Sequence, residues 1–318
     1  MIYTYNDFKG VIEDKKVSYF ICSSSFEKRC TVIPNILSQS KIEKAFIFFN
    51  DNEVKDIILN AGKLNEKFSK SELVNLNSNR PIFNYIKILE VINLITKSSS
   101  NKNILIDSTT FTHESLLVLL RLIELKKEDL GEIYVSYVGA KEYSTNKKDD
   151  EDKWLSKGVD EIRTIIGYPG FTDPTKKNHL IILFGFEMDR TKKLIDEYEY
   201  DIISLGFGDL PIQNNHMKIN CERHKRLLSV YPEAREFKFS LIDPYETRDQ
   251  LIAYIEKDGF SSYNTVIAPL NNKVSTIGAG LAAISNENIQ LAYAKASMYN
   301  TEGYSIPNED IYLHKVTF

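Results

Sequence analysis

Short apolar runs alternate with longer amphipathic stretches along the whole chain, and this alternation limits the folds open to it. Runs of four to seven apolar residues are separated by Lys- and Glu-rich segments of helical length. The pattern predicts strands that alternate with helices, and therefore an α/β fold with a mostly parallel sheet. In the first half the predicted strands are 17–22, 44–50, 72–76, 103–107 and 132–138, and the predicted helices are 26–38, 52–66, 82–96 and 113–127.

The second half of the chain repeats this order of elements. The segment 26–29 (FEKR) follows the first predicted strand, and the segment 186–190 (FEMDR) follows another strand 160 residues later (186 − 26). Two further matches come in the same order, 103–109 with 264–270 and 133–144 with 289–300. We therefore predict an internal duplication: two tandem Rossmann-like units, each with a mostly parallel five-stranded sheet. Chance similarity is the alternative. The predicted strands here are 179–184, 200–205, 236–242, 264–268 and 288–294, and the predicted helices are 186–198, 216–230, 246–257 and 274–284.

A run of charge marks the predicted boundary between the two units. Residues 146–153 (NKKDDEDK) cannot bury an apolar face, and a Gly/Pro-rich turn cluster follows at 167–174. The turn cluster is either an interdomain loop or a mobile flap that carries aromatic rings over a cleft. The predicted domains are a first Rossmann-like unit at 1–145, a connector at 146–175 and a second unit at 176–318.

Composition and missing motifs exclude several classes of protein. The chain has 318 residues with 42% hydrophobic and 26% charged, and its net charge of −4 gives no basic footprint for duplex nucleic acid. Its apolar runs are far shorter than the ~20 residues of a membrane helix, and its start does not resemble a signal peptide, so we expect a cytoplasmic protein. The motifs GxGxxG, GxxxxGK[ST] and GxSxG are absent. From these absences we predict no cofactor. We also predict no metal, because His216, Cys221 and His224 lack the spacing of metal ligands.

The carboxyl ends of the predicted strands are where a ligand is expected. In a parallel sheet, the helix N-termini at this edge present free N–H groups and positive dipole ends. Both FE…R segments and the loops after both fourth strands fall there. If the units pack about a pseudo-twofold axis, the four loops converge on one composite cleft. The candidate ligand-binding residues are Ser24, Ser25, Glu27, Arg29, Asp107, Thr109, Gly185, Glu187, Arg190, Asn272 and Lys273.

Each of these residues also has an ordinary structural interpretation. Glu27 and Arg29 fit the first turn of a solvated helix, with Ser24 or Ser25 as its N-cap. Asp107 fits either a functional carboxylate or the cap of the next helix. Lys273 fits either a phosphate contact or a solvated cation. Two copies of FE…R at matching positions place a functional role on equal terms with the structural interpretation.

The loops after the two fourth strands carry a resemblance to a known group of proteins. Asp107-x-Thr109, with Asn272-Lys273 at the matching position, resembles the sensor domains of bacterial antiviral systems, the CARF domain and the two-unit SAVED domain. The resemblance implies a cyclic oligonucleotide bound between paired Rossmann-like units, near these four residues. It places Ser24, Ser25 and Gly185 at the first-strand loops. Neither copy carries both the acidic and the basic half of the motif, and no effector domain is attached. A separate effector protein, or an activity of the chain's own, would then be needed.

Two other hypotheses remain open at this point. The first is an enzyme that acts on a nucleotide or phosphoribosyl compound. In it Glu27, Glu187 or Asp107 serves as general base or nucleophile, and the basic residues Arg29, Arg190 and Lys273 hold phosphate. The second is a duplicated scaffold that only binds other proteins.

Overall fold

The computed structural model is an α/β protein with two mixed, mostly parallel sheets of seven and six strands. It describes residues 1–50, 54–99, 101–209 and 215–318. Among these residues, no helix combines the length and the apolar character needed to cross a bilayer. The chain divides into two compact units, a first unit of 1–142 and 305–318 and a second unit of 143–304.

In the described part of the first unit, six strands and five helices precede the second unit. Its strands are β1 (Ile2–Tyr3), β2 (Tyr19–Ser23), β3 (Lys44–Asn50), β4 (Ser71–Leu76), β5 (Ile104–Asp107) and β6 (Ile133–Tyr143). Its helices are α1 (Tyr5–Asp14), α2 (Val32–Ile36), α3 (Lys55–Lys67), α4 (Pro81–Thr96) and α5 (His113–Leu125).

The second unit follows with six strands and four helices among the residues that the structure describes, and a last strand returns to the first sheet. The strands are β7 (Ser156–Pro169), β8 (Asn178–Phe184), β9 (Ile202–Asp209), β10 (Arg235–Ser240), β11 (Asn264–Pro269) and β12 (Ile289–Tyr299). The helices are α6 (Met188–Glu197), α7 (Asn215–Val230), α8 (Pro244–Glu256) and α9 (Lys273–Ser285). The returning strand is β13 (Ser305–Val316).

The five parallel strands of each unit lie in the same order. The first sheet runs β1-β13-β6-β5-β2-β3-β4, and the second runs β10-β9-β8-β11-β12-β7. Counted within its own unit, each set of parallel strands has the order 3-2-1-4-5, which is that of a Rossmann-type sheet. The prediction of two Rossmann-like units is therefore confirmed. Each sheet is larger than the predicted five strands.

The added strands lie where the sequence analysis placed a connector and the end of the second unit. The predicted connector 146–175 contains β7, which pairs antiparallel with β12. The C-terminal β13 belongs to the first unit, although the predicted second unit ran to residue 318. Both strands were missed because charged and polar residues interrupt them, and β7 is an exposed edge strand without an apolar run.

The predicted helix at 26–38 is wrong as a single element. A 3-10 turn at Lys28–Thr31 is followed by the five-residue α2. Pro34 has no N–H to donate to Cys30, so a regular helix cannot run from residue 26 through this position. The start of the predicted helix 52–66 lies outside the described residues, and α3 is described from Lys55.

The central strands and the helix caps fix the edge where the candidate residues lie. Every residue of β2 is buried, as expected for a strand covered by helices on both faces. Thr112 caps α5 by accepting a hydrogen bond from the Ser115 N–H (3.1 Å). In the second unit Asn272 caps α9 through the Ser275 N–H (2.9 Å). The helices that follow β5 and β11 thus start at the carboxyl edge of their sheets.

Candidate functional site

A buried ion pair lies beyond the carboxyl end of β2 in the first unit. Glu27 Oε2 accepts hydrogen bonds from Arg29 Nε (2.8 Å) and Nη2 (2.6 Å), and from Ser305 Oγ (2.6 Å). Arg29 Nη1 donates to the Val138 carbonyl at 3.2 Å. The Arg29 side chain is only 5% exposed. The predicted solvated helix turn is therefore wrong for these two residues, because both are buried and paired with each other.

Asp107, at the end of the neighbouring β5, is a buried carboxyl group beside this pair. Its Oδ1 accepts hydrogen bonds from the backbone N–H of Thr109 (3.1 Å) and from the Thr109 hydroxyl. Burial raises the pKa of Asp107 to about 7, although the Thr109 hydrogen bonds and the Arg29 charge oppose the shift. Thr109 Oγ1 also accepts from the Val138 N–H (3.0 Å). The Val138 carbonyl thus accepts from Arg29, and the Val138 N–H donates to Thr109. The backbone of Val138 therefore links the Glu27–Arg29 pair to Asp107 and Thr109.

The two predicted serines hold the loop after β2 in place. Ser24 Oγ donates to the Ile57 carbonyl at 2.7 Å. Ser25 Oγ accepts from the Glu27 N–H at 3.2 Å. In the first unit, the side chains predicted to bind a ligand are thus largely bonded to one another or to the backbone.

The second unit carries the matching pair, Glu187 and Arg190, with fewer bonds. Arg190 Nη1 donates to Glu187 Oε2 at 3.1 Å. Arg190 is 5% exposed, and its Nε and Nη2 find no acceptor among the described residues. Burial would lower the pKa of Arg190, but the Glu187 carboxylate and nearby tyrosines keep it above its ordinary value. The second unit therefore buries a guanidinium cation that is short of acceptors.

One aromatic ring lies against Arg190, and a group of four more begins at the residue before Glu187. The Arg190 guanidinium lies 5.6 Å from the centre of the Tyr293 ring. Phe186, next to Glu187, lies 6.1 Å from the ring of Tyr143, and Tyr304 lies 6.5 Å from Tyr143 and 6.4 Å from Tyr299. We call Tyr143, Phe186, Tyr299 and Tyr304 the aromatic cluster. Phe186 is buried, with the Arg223 guanidinium 4.1 Å from the centre of its ring, and the partly buried rings of Tyr143 and Tyr304 pack against it.

The three remaining predicted residues lie where the loops after β8 and β11 meet. A Cβ atom on Gly185 would lie 2.4 Å from the Leu270 carbonyl oxygen, so only glycine allows the two loops to approach this closely. Asn272 donates from Nδ2 to the Leu241 carbonyl (2.8 Å) while it caps α9. Lys273 is the first residue of α9 and is half-buried.

The structure brings the predicted residues together in pairs within each unit. Glu27 bonds to Arg29, Asp107 to Thr109, and Glu187 to Arg190. The composite cleft stays a prediction. No three His, Cys, Asp or Glu side chains are grouped as metal ligands in the described part of the chain. The side chain of His216 lies outside the described residues.

Sequence reasoning missed Ser305, Val138 and the role of Tyr293. Ser305 lies 278 residues from Glu27, so no local pattern connects them. Val138 acts through its backbone groups, which its residue type does not reveal. The sequence did mark Tyr293, because the repeat aligns it with Tyr137, which lies on β6 of the first unit.

Comparisons with known proteins give no family for the chain. No family model matches it, and no curated protein matches its sequence. Among solved structures, the cytoplasmic domain of a prokaryotic cation chloride cotransporter matches with a TM-score of 0.27 and 6% identity, over 90% of this chain and 98% of that one. The apo form of the lipopolysaccharide outer core galactosyltransferase WaaB matches with a TM-score of 0.26 and 15% identity, over 79% of this chain and 72% of that one.

Proposed function

We propose that the chain binds a phosphate-bearing ligand of the nucleotide type beyond the carboxyl end of β8, with Arg190 as its phosphate anchor. The proposal rests on the buried guanidinium of Arg190, two of whose nitrogen donors lack acceptors among the described residues. Each buried donor left unpaired costs about 1–3 kcal/mol. A phosphate offers several charged acceptor oxygens, and Arg binds them in a forked geometry.

The start of α6 supports an anionic ligand at the same place. Arg190 lies in the first turn of this helix, where the backbone N–H groups and the helix dipole favour negative charge. The residue before the helix, Glu187, makes no capping hydrogen bond with its side chain, as far as the described residues go. Phosphate oxygens therefore have both backbone and side-chain donors within one turn.

The aromatic cluster favours a nucleotide over a bare anion. Phe186 directly precedes Glu187, and its ring is in contact with Tyr143. Base–aromatic stacking contributes about 1–3 kcal/mol per base. A ligand with a base on this cluster and a phosphate on Arg190 would use both features. Because Nε and Nη2 of Arg190 lie below the surface, the loop between β8 and α6 has to move for the ligand to enter.

The test compares the two equivalent arginines. Purified protein is titrated with mono-, di- and cyclic oligonucleotides by calorimetry and by thermal shift, because a ligand of the folded state raises the melting temperature. We expect Arg190→Lys, which keeps the charge but loses the fork, to weaken binding at least about tenfold. Arg29→Lys is the matched control and should bind normally, because Arg29 already pairs with Glu27 and Val138.

Two outcomes would count against the proposal. One is a normal affinity in Arg190→Lys, and the other is the absence of saturable binding by any nucleotide tested. The second outcome would leave the scaffold hypothesis ahead.

The resemblance to CARF and SAVED sensors extends this proposal to a more specific ligand and partner. We infer from it that the ligand is a cyclic oligonucleotide and that binding is passed on to an effector protein in antiviral defence. Such a sensor would return its ligand chemically intact. Chromatography of the ligand after incubation with the protein therefore separates a sensor from an enzyme.

Asp107 favours a second candidate, an enzyme that acts on a nucleotide or phosphoribosyl compound. A buried carboxyl group with a pKa of about 7 can accept and donate a proton near neutral pH. Consumption of a ligand that stops in Asp107→Asn would support this function. Intact ligand at every pH tested would argue against it.

A further inference from the structure

A cavity of about 390 Å³ opens in the first unit at the edge opposite to the Glu27–Arg29 pair. It lies between the end of α1, the residues that precede β2 and the segment 37–42. Small-molecule sites in proteins commonly measure about 300–1,000 Å³. The cavity is therefore large enough for a small ligand, and it takes no part in the function proposed above.

The floor of this cavity is apolar. Ile12, Val17, Leu37 and Ile42 line it, and each is at most 8% exposed. All four belong to the core of the first unit, which holds them in place. A ligand body that covers this floor would have to be hydrocarbon-like.

The rim of the cavity is charged, and one cation on it is unbalanced. Lys41 pairs with Glu13 at 2.9 Å, and Ser38 donates to the same carboxylate at 2.9 Å. Lys16, also on the rim, is exposed and has no ion-pair partner among the described residues. The rim thus carries one net positive charge. The nearby Glu13 and the C-terminal end of α1 disfavour a second negative charge on a ligand.

The backbone at Lys16 holds a conformation that suits glycine better. Its φ is +49°, in the left-handed region that follows many helices and that glycine usually occupies. Asn101 fixes this turn by donating from Nδ2 to the Lys16 carbonyl at 2.8 Å. Position 16 on the rim is therefore a lysine, although a glycine would adopt this backbone conformation at a lower free-energy cost.

We propose that this cavity binds a small amphipathic monoanion, with its carboxylate at Lys16 and its apolar body on the floor of Ile12, Val17, Leu37 and Ile42. A single lysine matches a single negative charge. The apolar floor matches an aliphatic or aromatic body. This proposal is independent of the nucleotide site, which lies in the second unit.

The probes are three molecules with the same chain length and different head groups: octanoate, octanol and octylammonium. Titration calorimetry on the full chain should give saturable binding of octanoate, about fivefold tighter than octanol. Octylammonium should bind more weakly than octanol. Octanol binding as tightly as octanoate, octylammonium binding best, or no saturable binding of octanoate would overturn the proposal.

One variant separates loss of the site from loss of the fold. Lys16→Gly should remove the preference for octanoate over octanol, and at the same time it should raise the melting temperature, because glycine relieves the left-handed backbone. Lys15→Gln is the matched control. It removes a positive charge from the same helix end but does not line the cavity, and it should keep the preference. A Lys16→Gly protein that still prefers octanoate would contradict the assignment.

Discussion

Ser305 lies 278 residues from Glu27 in the chain, yet its Oγ donates a 2.6 Å hydrogen bond to the Glu27 carboxylate. Ser305 is the first residue of β13, the strand that returns to the first sheet from the far end of the chain. This bond joins the C-terminal segment to the buried Glu27–Arg29 pair. The first unit is therefore complete only when residues 305–318 are present.

Ser305→Ala should lower the free energy of unfolding by about 1–2 kcal/mol, since a hydrogen bond to a charged acceptor is lost at a partly buried site. Urea denaturation of the full chain measures the change. Ser40→Ala is the control, because Ser40 is exposed in the same unit, and it should change stability by less than about 0.5 kcal/mol. Equal effects of the two substitutions would show that the Ser305 bond contributes nothing.

The stability of the first unit should depend on pH through Asp107. Its pKa is about 7 in the folded protein and close to 3.8 when unfolded, so the folded state holds the proton more tightly. The free energy of unfolding therefore falls as pH rises from about 4 to about 7, and this fall is on the order of 3 kcal/mol. Asp107→Asn removes the charge and should be more stable than the parent at pH 8 but not at pH 4.

Comparing variant and parent isolates this residue from the other titrating groups. Unfolding curves at pH 4, 6 and 8 give the difference directly. The exposed Asp129→Asn should leave the difference near zero at each pH. An Asp107→Asn protein that gains no stability between pH 4 and pH 8 would contradict the raised pKa.

The two equivalent arginines should differ in their contribution to stability. Arg29→Met leaves Glu27 buried without its cation, and breaking a buried pair in this way costs about 3–5 kcal/mol. Arg190→Met also leaves a buried carboxylate, Glu187, without its cation, but it loses only one hydrogen bond of 3.1 Å and removes two donors that lack acceptors among the described residues. We expect its cost to be smaller by at least about 1 kcal/mol. Chemical denaturation of both variants tests the order, and the reverse order would show that Arg190 is the better satisfied of the two.

The parallel part of the fold could be predicted from sequence because its strands are buried on both faces. β2 and β8 appear as unbroken apolar runs for that reason. The edge strand β7 carries four charged residues between positions 157 and 163, and only its pairing with β12 identifies it as a strand. Sequence periodicity reflects the burial of side chains, and few side chains of β7 are buried.

The candidate site was predictable as a set of positions but not as a set of bonds. The repeated FE…R segments correctly marked Glu27 with Arg29 and Glu187 with Arg190 as equivalent pairs. Arg29 is fully paired because the carbonyl of Val138, 109 residues away, accepts a hydrogen bond from its Nη1, whereas Arg190 is short of acceptors among the described residues. Such differences arise from tertiary contacts.

Gly185 should be the glycine least tolerant of a side chain at the candidate site. A Cβ atom there would lie 2.4 Å from the Leu270 carbonyl oxygen and 3.0 Å from the Asn271 Cα, so the loop after β8 or the loop after β11 would have to shift. We expect Gly185→Ala to lower the free energy of unfolding by about 1–3 kcal/mol and to weaken nucleotide binding, because the shifted loop leads directly into Glu187 and α6. Gly62→Ala is the matched control, since Gly62 lies within α3 with no atom within 4 Å of the added Cβ. It should stabilise the protein by about 0.5–1 kcal/mol. A Gly185→Ala protein as stable as the parent would mean that the two loops shift without cost in free energy. The close approach of these loops would then not require glycine at position 185.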